Sequence, residues 1–500
     1  MPVALLVGVA GVLLEMLALS QALNVRAVFF AITALVLVYL AIEVSRLRRV
    51  HPERWLLNPI VLCSFITFVL SYGVTNVEFF LTDTRLESVG LVPDVTPAMV
   101  NLMWLVLCGA VAMWAGYWSP IAARLANRSS IIKFATRYLP QTDVLRSVAL
   151  PVLFAVSLLT RLLQVRLGVF GYSADYDQLI AMGAVTQYLA FGSGLGKVAL
   201  VLAAMQFYAH RSSLSARRWL YFLLLVEVSF GFLSGFKSAV IMPAVTVAFC
   251  QYLRTGRFSK SWIVVVVVGL LVAYAVIEPF RLARYGNSTF SGTSVVSIAG
   301  TLIESAGSSA DDTVNEVGGS APVLFSIASR SNLTNISSFG IEYADIHPIM
   351  PAGSPNFLSD LFLAPLHAWI PRFIWGSKPL GNLGLWYNQE VMQMSDFSSS
   401  GMGPFTYLYF AGGVVAVFVG FLFVGVVQRC LFFLLQPASS IAGGAVFLAM
   451  LSTVAVIDSA FNSIIVSLCR ELPLALLIMF LLFRGRAKSV PDSVSLRLGG

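Results

Sequence analysis

Charged residues, metal ligands and disulfide-forming patterns are all scarce in this sequence. Only 11% of its 500 residues are Asp, Glu, Lys or Arg, whereas 58% are hydrophobic, a composition well outside the soluble range. The five cysteines lie within or at the ends of apolar segments, which is typical of small buried hydrophobes rather than of a disulfide framework. The composition therefore predicts a polytopic membrane protein.

Sequence motifs for several kinds of chemistry are also missing. No HExxH, CxxC, P-loop or GxSxG motif occurs, so metal, nucleotide and serine-hydrolase chemistry have no support, and we expect no metal and no cofactor. The net charge is +8, but the basic residues do not form a face with interleaved aromatic residues. We therefore expect no nucleic-acid partner.

Apolar segments long enough to cross a bilayer recur along the chain. A span needs about 20 apolar residues, and twelve segments fit, beginning near residues 3, 27, 57, 99, 147, 187, 219, 238, 261, 405, 441 and 464. The first lacks a basic leader and a cleavage site, which predicts a retained helix. The two short segments 219–233 and 238–253 are interpreted as a hairpin. The sequence thus predicts an all-α membrane protein with about 12 transmembrane helices.

The basic residues predict the orientation of these spans. Lys and Arg in short loops are retained on the cytoplasmic side. The basic loops alternate along the predicted topology and all fall on one side: 46–54, the loop containing Arg124 to Arg146, 210–218, 254–260 and the tail that begins RGRAK. Both termini are therefore expected in the cytoplasm.

One long segment, residues 281–404, is isolated by this topology on the non-cytoplasmic side. It divides the chain into a first bundle of nine spans (1–280), the large loop (281–404), three last spans (405–485) and a cytoplasmic tail (486–500). A structureless loop of this length is improbable in a compact protein unless it is functional or disordered. Within it, the apolar stretch 357–375 is interrupted by Pro365 and Pro371, which favours a re-entrant or interfacial helix.

Several cations lie on the side where positive charge is normally sparse. The candidates for anion binding are Arg281, Arg284, Arg330, Arg372 and Lys378, with Lys237 at the tip of the predicted hairpin. Arg offers a planar fork and Lys a compact charge to phosphate oxygens. The simpler interpretation for any one of them is an interfacial anchor. Arg372 and Lys378, bracketed by prolines in IPRFIWGSKP, favour anion binding.

A general base on this side has one local candidate group. Glu342, Asp345 and His347 lie within six residues, so a base and an orienting carboxylate could be local. His367 follows Pro365 in an apolar stretch, which favours a packing role. The N-x-S/T matches at Asn287, Asn332 and Asn335 are interpreted as chance.

Ionisable residues also occur within the predicted spans. Arg161 is placed near the outer boundary, where a snorkelling anchor is expected, and Arg470 has Glu471 beside it. Inter-helix hydrogen bonding is expected for Glu227.

Taken in order, several motifs resemble the bacterial O-antigen and exopolysaccharide repeat-unit polymerases, the Wzy-type family. The motifs, which span roughly residues 150–430, are RLGVFGYSADY (166–176), FLSGFKSAVIMP (232–243), RLARYG (281–286), IASRSN (327–332), IPRFIWGSKP (370–379) and GPFTYLYFAGG (403–413). IPRFIWGSKP is the most specific. Lys237 departs from the arginine expected after FLSG, which would give up bidentate contacts.

The resemblance implies a metal-independent membrane glycosyltransferase of GT-C-like architecture in the bacterial inner membrane. It would join undecaprenyl-diphosphate-linked oligosaccharides at the periplasmic face, amid membrane lipids and with a chain-length regulator and a flippase as pathway partners. The cations Arg372, Lys378, Arg281, Arg330, Lys237 and Arg284 would hold the diphosphate, His347, Asp345 or Glu342 would act as base, and Tyr172, Tyr176, Trp375 and Trp386 would stack on sugars.

Two alternatives remain open from the sequence. A transporter or flippase would suit twelve spans with intramembrane charges, although matching halves are not evident. A ligase that hands the glycan to another acceptor would use the same donor.

Overall fold

The computed structural model is a bundle of helices. It describes residues 24–52, 55–81, 95–128, 145, 148–174, 178, 182–209, 214–286, 294–308, 332–351, 353–370, 374–375, 383–394, 401–438, 440–458 and 460–483. Within these ranges no β-strand occurs, and eight helices are long and apolar enough to cross a membrane. The chain is thus a membrane-embedded all-α protein.

The helices follow the predicted apolar segments. They are α1 (Val25–Val50), α2 (Pro59–Val77), α3 (Pro97–Trp118), α4 (Pro120–Arg128), α5 (Ala149–Arg166), α6 (Gly183–Ala209), α7 (Leu214–Leu233), α8 (Lys237–Thr255), α9 (Lys260–Gly286), α10 (Val295–Ser308), α11 (Thr334–Ile346), α12 (Phe357–Trp369), α13 (Leu383–Trp386), α14 (Pro404–Leu435), α15 (Ile441–Ala455) and α16 (Asn462–Leu482). Eleven of the twelve predicted spans coincide with one of them. The segment beginning near residue 3 lies outside the described residues.

The helix ends gather at two ends of the bundle. At what we call the basic end, the His51 ring lies 5.9 Å from the Phe433 ring, so the ends of α1 and α14 meet there. At what we call the loop end, the Leu333 N–H donates to the Ser71 carbonyl at 3.0 Å. The long segment between α9 and α14 therefore returns to the bundle at the loop end.

Two apolar cores lie side by side. The first is built by α1, α2, α3, α11, α12 and the first two thirds of α14. The second is built by α5 to α8, α15, α16 and the last turns of α14. Because α14 contributes to both cores, it joins them.

Helix α14 is folded back on itself. Gly413 has φ 63° and ψ −152°, a conformation that is essentially restricted to glycine, and Gly412 is also non-helical. The rings of Phe405 and Phe421 stack with centroids 4.6 Å apart, although sixteen residues of straight helix would separate them by about 24 Å. Residues 404–411 therefore pack against residues 414–435 as the short arm of a hairpin, which moves the start of the predicted span from residue 405 to residue 414.

Replacing Gly413 with alanine should lower stability by about 1–2 kcal/mol, because the backbone conformation is strained for any residue with a Cβ. No described atom lies within 4 Å of that Cβ, so conformation rather than crowding sets the effect. The measurement is thermal unfolding in detergent. The control is Gly194→Ala within α6, where a Cβ also meets no described atom. Equal unfolding temperatures for the two variants would contradict the assignment of strain.

Candidate functional site

The start of α11 is fixed to the bundle by buried polar side chains. The Asn332 Nδ2 donates to Glu78 Oε2 at 3.2 Å, and the Thr334 hydroxyl donates to Asn76 Oδ1 at 2.7 Å. All four residues are buried. Since buried polar groups require partners, these bonds fix the position of α11 against α2 and the turn that follows it.

The same segment contains two of the N-x-S/T matches. Asn332 and Asn335 are only 4% and 3% exposed. An acceptor for a bulky glycan must lie on the surface. The structure therefore agrees with the interpretation of these two matches as chance.

The predicted base group lies at the other end of α11. His347 caps the helix, with its Nδ1 3.1 Å from the Tyr343 carbonyl oxygen and its ring stacked on the Tyr343 ring at 4.4 Å. Asp345 is exposed and accepts a 2.8 Å hydrogen bond from the Tyr409 hydroxyl. Glu342 is exposed. Asp345 is thus held by Tyr409, and His347 by its own helix, rather than each by the other.

An aromatic cluster lies beside these residues. It consists of Tyr343, Phe357, Trp386, Tyr407 and Phe410, whose rings approach to between 4.9 and 6.4 Å. Burial and the nearby Glu390 carboxylate raise the pKa of Tyr343. Trp386, one of the predicted sugar-stacking residues, therefore lies in the same cluster as Tyr343, the residue that contacts His347.

Helix α12 brings two further titratable residues to the loop end of the bundle. Asp360 and His367 are 6% and 8% exposed, and the His367 ring lies 5.1 Å from the ring of Trp375. Burial raises the pKa of Asp360, and the His367 charge opposes that effect. Trp375, predicted as a sugar-stacking residue, thus lies beside the histidine that the sequence assigned to packing.

A second group of predicted residues lies around the α7–α8 turn. The Tyr172 N–H donates to the Ser234 carbonyl at 2.7 Å, and its ring contacts Phe236, the residue before Lys237. Phe280 packs on Gly235, where a Cβ would meet its ring at 3.0 Å. This places the ring of Phe280, the residue before Arg281, against the turn.

Other predicted residues lie outside what the structure describes. They are Arg330, Arg372, Lys378 and Tyr176, together with the side chains of Arg281 and Arg284. In the described ranges, no three His, Cys, Asp or Glu side chains are arranged to hold a metal ion.

Sequence reasoning missed three residues of the site. Tyr409 holds Asp345, Tyr407 belongs to the aromatic cluster, and Asp360 shares a helix face with His367. The seven-residue spacing of Asp360 and His367 was the available signal, because residues two turns apart share a face. Tyr407 and Tyr409 had no such spacing signal, because they lie within the predicted span that begins near residue 405.

Two ionisable residues inside the bundle, Arg161 and Glu227, are paired across helices. Arg161 Nη2 lies 2.8 Å from Glu227 Oε2, with both side chains under 10% exposed. The same nitrogen donates to the Ser193 carbonyl at 3.2 Å. Arg161 is therefore a buried partner of Glu227 rather than a snorkelling anchor, and the inter-helix bonding expected for Glu227 is present.

Comparison with known proteins gives no relative for this arrangement: no family model, no curated protein and no solved structure matches the chain.

Proposed function

We propose that the chain is a membrane glycosyltransferase that polymerises undecaprenyl-diphosphate-linked oligosaccharide units into a surface polysaccharide. The observation that carries the proposal is the return of the long segment to the loop end, where α11 and α12 bring carboxylates, imidazoles and aromatic rings together on an apolar helical bundle. Aromatic faces suit sugar rings, and the surrounding apolar helices suit a polyprenyl chain.

The proposed topology has twelve spans in a bacterial inner membrane, with both termini and the basic end in the cytoplasm. The loop end then faces the periplasm. The eleven helices at the predicted positions support this topology, as does the contact of His51, in the basic loop 46–54, with the end of α14.

The proposed chemistry needs an anion site, a base and a sugar platform. Six cations would hold the diphosphate: Arg372, Lys378, Arg281, Arg330, Lys237 and Arg284. His347, Asp345 or Glu342 would receive the proton of the acceptor hydroxyl, and Tyr172, Tyr176, Trp375 and Trp386 would contact sugars. Positioned cations stabilise a departing diphosphate without a metal. The partners would be membrane lipids, lipid-linked oligosaccharides, and the chain-length regulator and flippase of the same pathway.

Removing the gene from its host should convert the long polysaccharide ladder into single repeat units. The donor units would still be made and exported, but no enzyme would join them, so single lipid-linked units should accumulate at the periplasmic face. Electrophoresis of the surface polysaccharide and mass spectrometry of lipid-linked intermediates measure this outcome. Re-expression of the intact chain is the control.

Two other results would overturn the proposal. Accumulation of units on the cytoplasmic face would indicate a flippase. Accumulation of long lipid-linked polymer would indicate a ligase, because polymerisation would have continued without the chain.

A further inference from the structure

Helix α12 has an inverted polarity for a helix in an aqueous loop. Its exposed face is apolar and carries Leu358, Phe362, Leu366 and Trp369, of which Phe362 is 75% exposed. Its buried face carries Asp360 and His367. A helix that faced water would show the opposite arrangement. The apolar face therefore suits lipid, and the two titratable residues face the protein.

The helices that pack against the buried face of α12 determine which groups lie near Asp360 and His367. Helix α12 packs against α14 and α16. The Tyr407 hydroxyl of α14 donates to the Phe357 carbonyl at 3.3 Å, one turn before Asp360. On α16, Arg470 and Glu471 bond each other at 3.4 Å. Ionisable side chains that face a membrane protein's interior are rare and usually functional.

His367 also lies next to the most specific motif of the sequence. The Trp375 ring, 5.1 Å from the His367 ring, belongs to IPRFIWGSKP. By contrast, His347 ends α11 with its Nδ1 at the Tyr343 carbonyl, as a helix-capping residue does.

We infer that His367, on the inward face of α12 beside Trp375, is the catalytic base of the transferase, a role for which the sequence favoured His347. The inference rests on the proposed function. The acceptor hydroxyl oxygen attacks the anomeric carbon of the donor, and the bond from that carbon to the diphosphate oxygen breaks. The bonding electron pair leaves with the lipid diphosphate. The hydroxyl proton moves to His367 and from there to water.

The test uses membrane vesicles that contain the full chain, with single lipid-linked repeat units purified from the deletion host as substrate. His367→Asn should lower the rate of elongation at least about 100-fold, the loss expected for a missing general base. His51→Asn is the matched control, because His51 lies at the basic end against Phe433. Elongation by His367→Asn at the control rate would overturn the inference.

A second measurement covers the case in which His367→Asn does not fold. In the intact chain, the rate should fall as the pH is lowered from about 8 to about 5, because a histidine no longer accepts a proton once it is protonated. A rate independent of pH between about 5 and 8 would overturn the inference. That result would leave the proposed function standing, because the polysaccharide and the lipid-linked intermediates that accumulate after gene deletion test the function separately.

Discussion

Replacing Glu227 with alanine should lower the free energy of unfolding by about 3–5 kcal/mol, because the change leaves the Arg161 guanidinium buried without its counter-charge. The two side chains meet at 2.8 Å between α5 and α7. The guanidinium also lies 4.9 Å from the centre of the Phe230 ring. The contact with the Phe230 ring cannot replace the full negative charge of Glu227. Denaturant unfolding in detergent, followed by tryptophan fluorescence, measures the loss.

The chain offers a matched control for this variant. Glu471→Ala breaks the Arg470–Glu471 pair, whose side chains are 28% and 37% exposed, so the change should cost less than about 1 kcal/mol. The double variant Arg161→Met with Glu227→Leu should recover most of the loss, since no charge is then left buried. A double variant as unstable as Glu227→Ala would contradict the assignment.

Replacing Gly425 with alanine should destabilise the packing of α3 against α14 by about 3 kcal/mol. A Cβ at Gly425 would lie 1.9 Å from the Met113 carbonyl oxygen, and one at Gly116 would lie 2.1 Å from the Leu422 carbonyl oxygen. These contacts are with backbone atoms, so the helices must separate to admit a methyl group. Small residues at such crossings allow the close approach that stabilises helix pairs in membranes.

Thermal unfolding of the purified protein in detergent measures this effect. Gly269→Ala in α9 is the control, because no described atom lies within 4 Å of a Cβ at that position and alanine favours a helix. Gly116→Ala should match Gly425→Ala in direction. If both variants unfold at the temperature of Gly269→Ala, the helices do not cross at the described separation.

The sequence predicted the elements whose signals are local. Apolar length predicted the helices, and a short polar interruption predicted the α7–α8 hairpin, which the structure forms with its turn at residues 234–236. Pro365 and Pro371 indicated that the stretch 357–375 is not an ordinary span, and the described helix there, α12, has only 13 residues. The polar face of α12 could also be predicted from the sequence, because the spacing of Asp360 and His367 places them on one face of a helix.

Contacts between distant residues were beyond the reach of a single sequence. Arg161 and Glu227 are 66 residues apart, and no local pattern pairs them. Likewise, hydropathy shows that residues 404–435 are apolar but does not give the direction of the chain within them. Gly412 and Gly413 were the only sign of a reversal, and paired glycines in a membrane helix more often indicate close packing.

The fold in α14 sets how well this helix matches a bilayer. Thirty-two residues of unbroken helix would be about 48 Å long, far more than a hydrocarbon core of about 30 Å. Such a helix would have to tilt steeply or thicken the lipid around it. The reversal at Gly412 and Gly413 leaves residues 414–435, about 33 Å of helix, to cross. The remaining apolar residues, 404–411, pack against the protein, so the surrounding lipid does not have to deform to cover them.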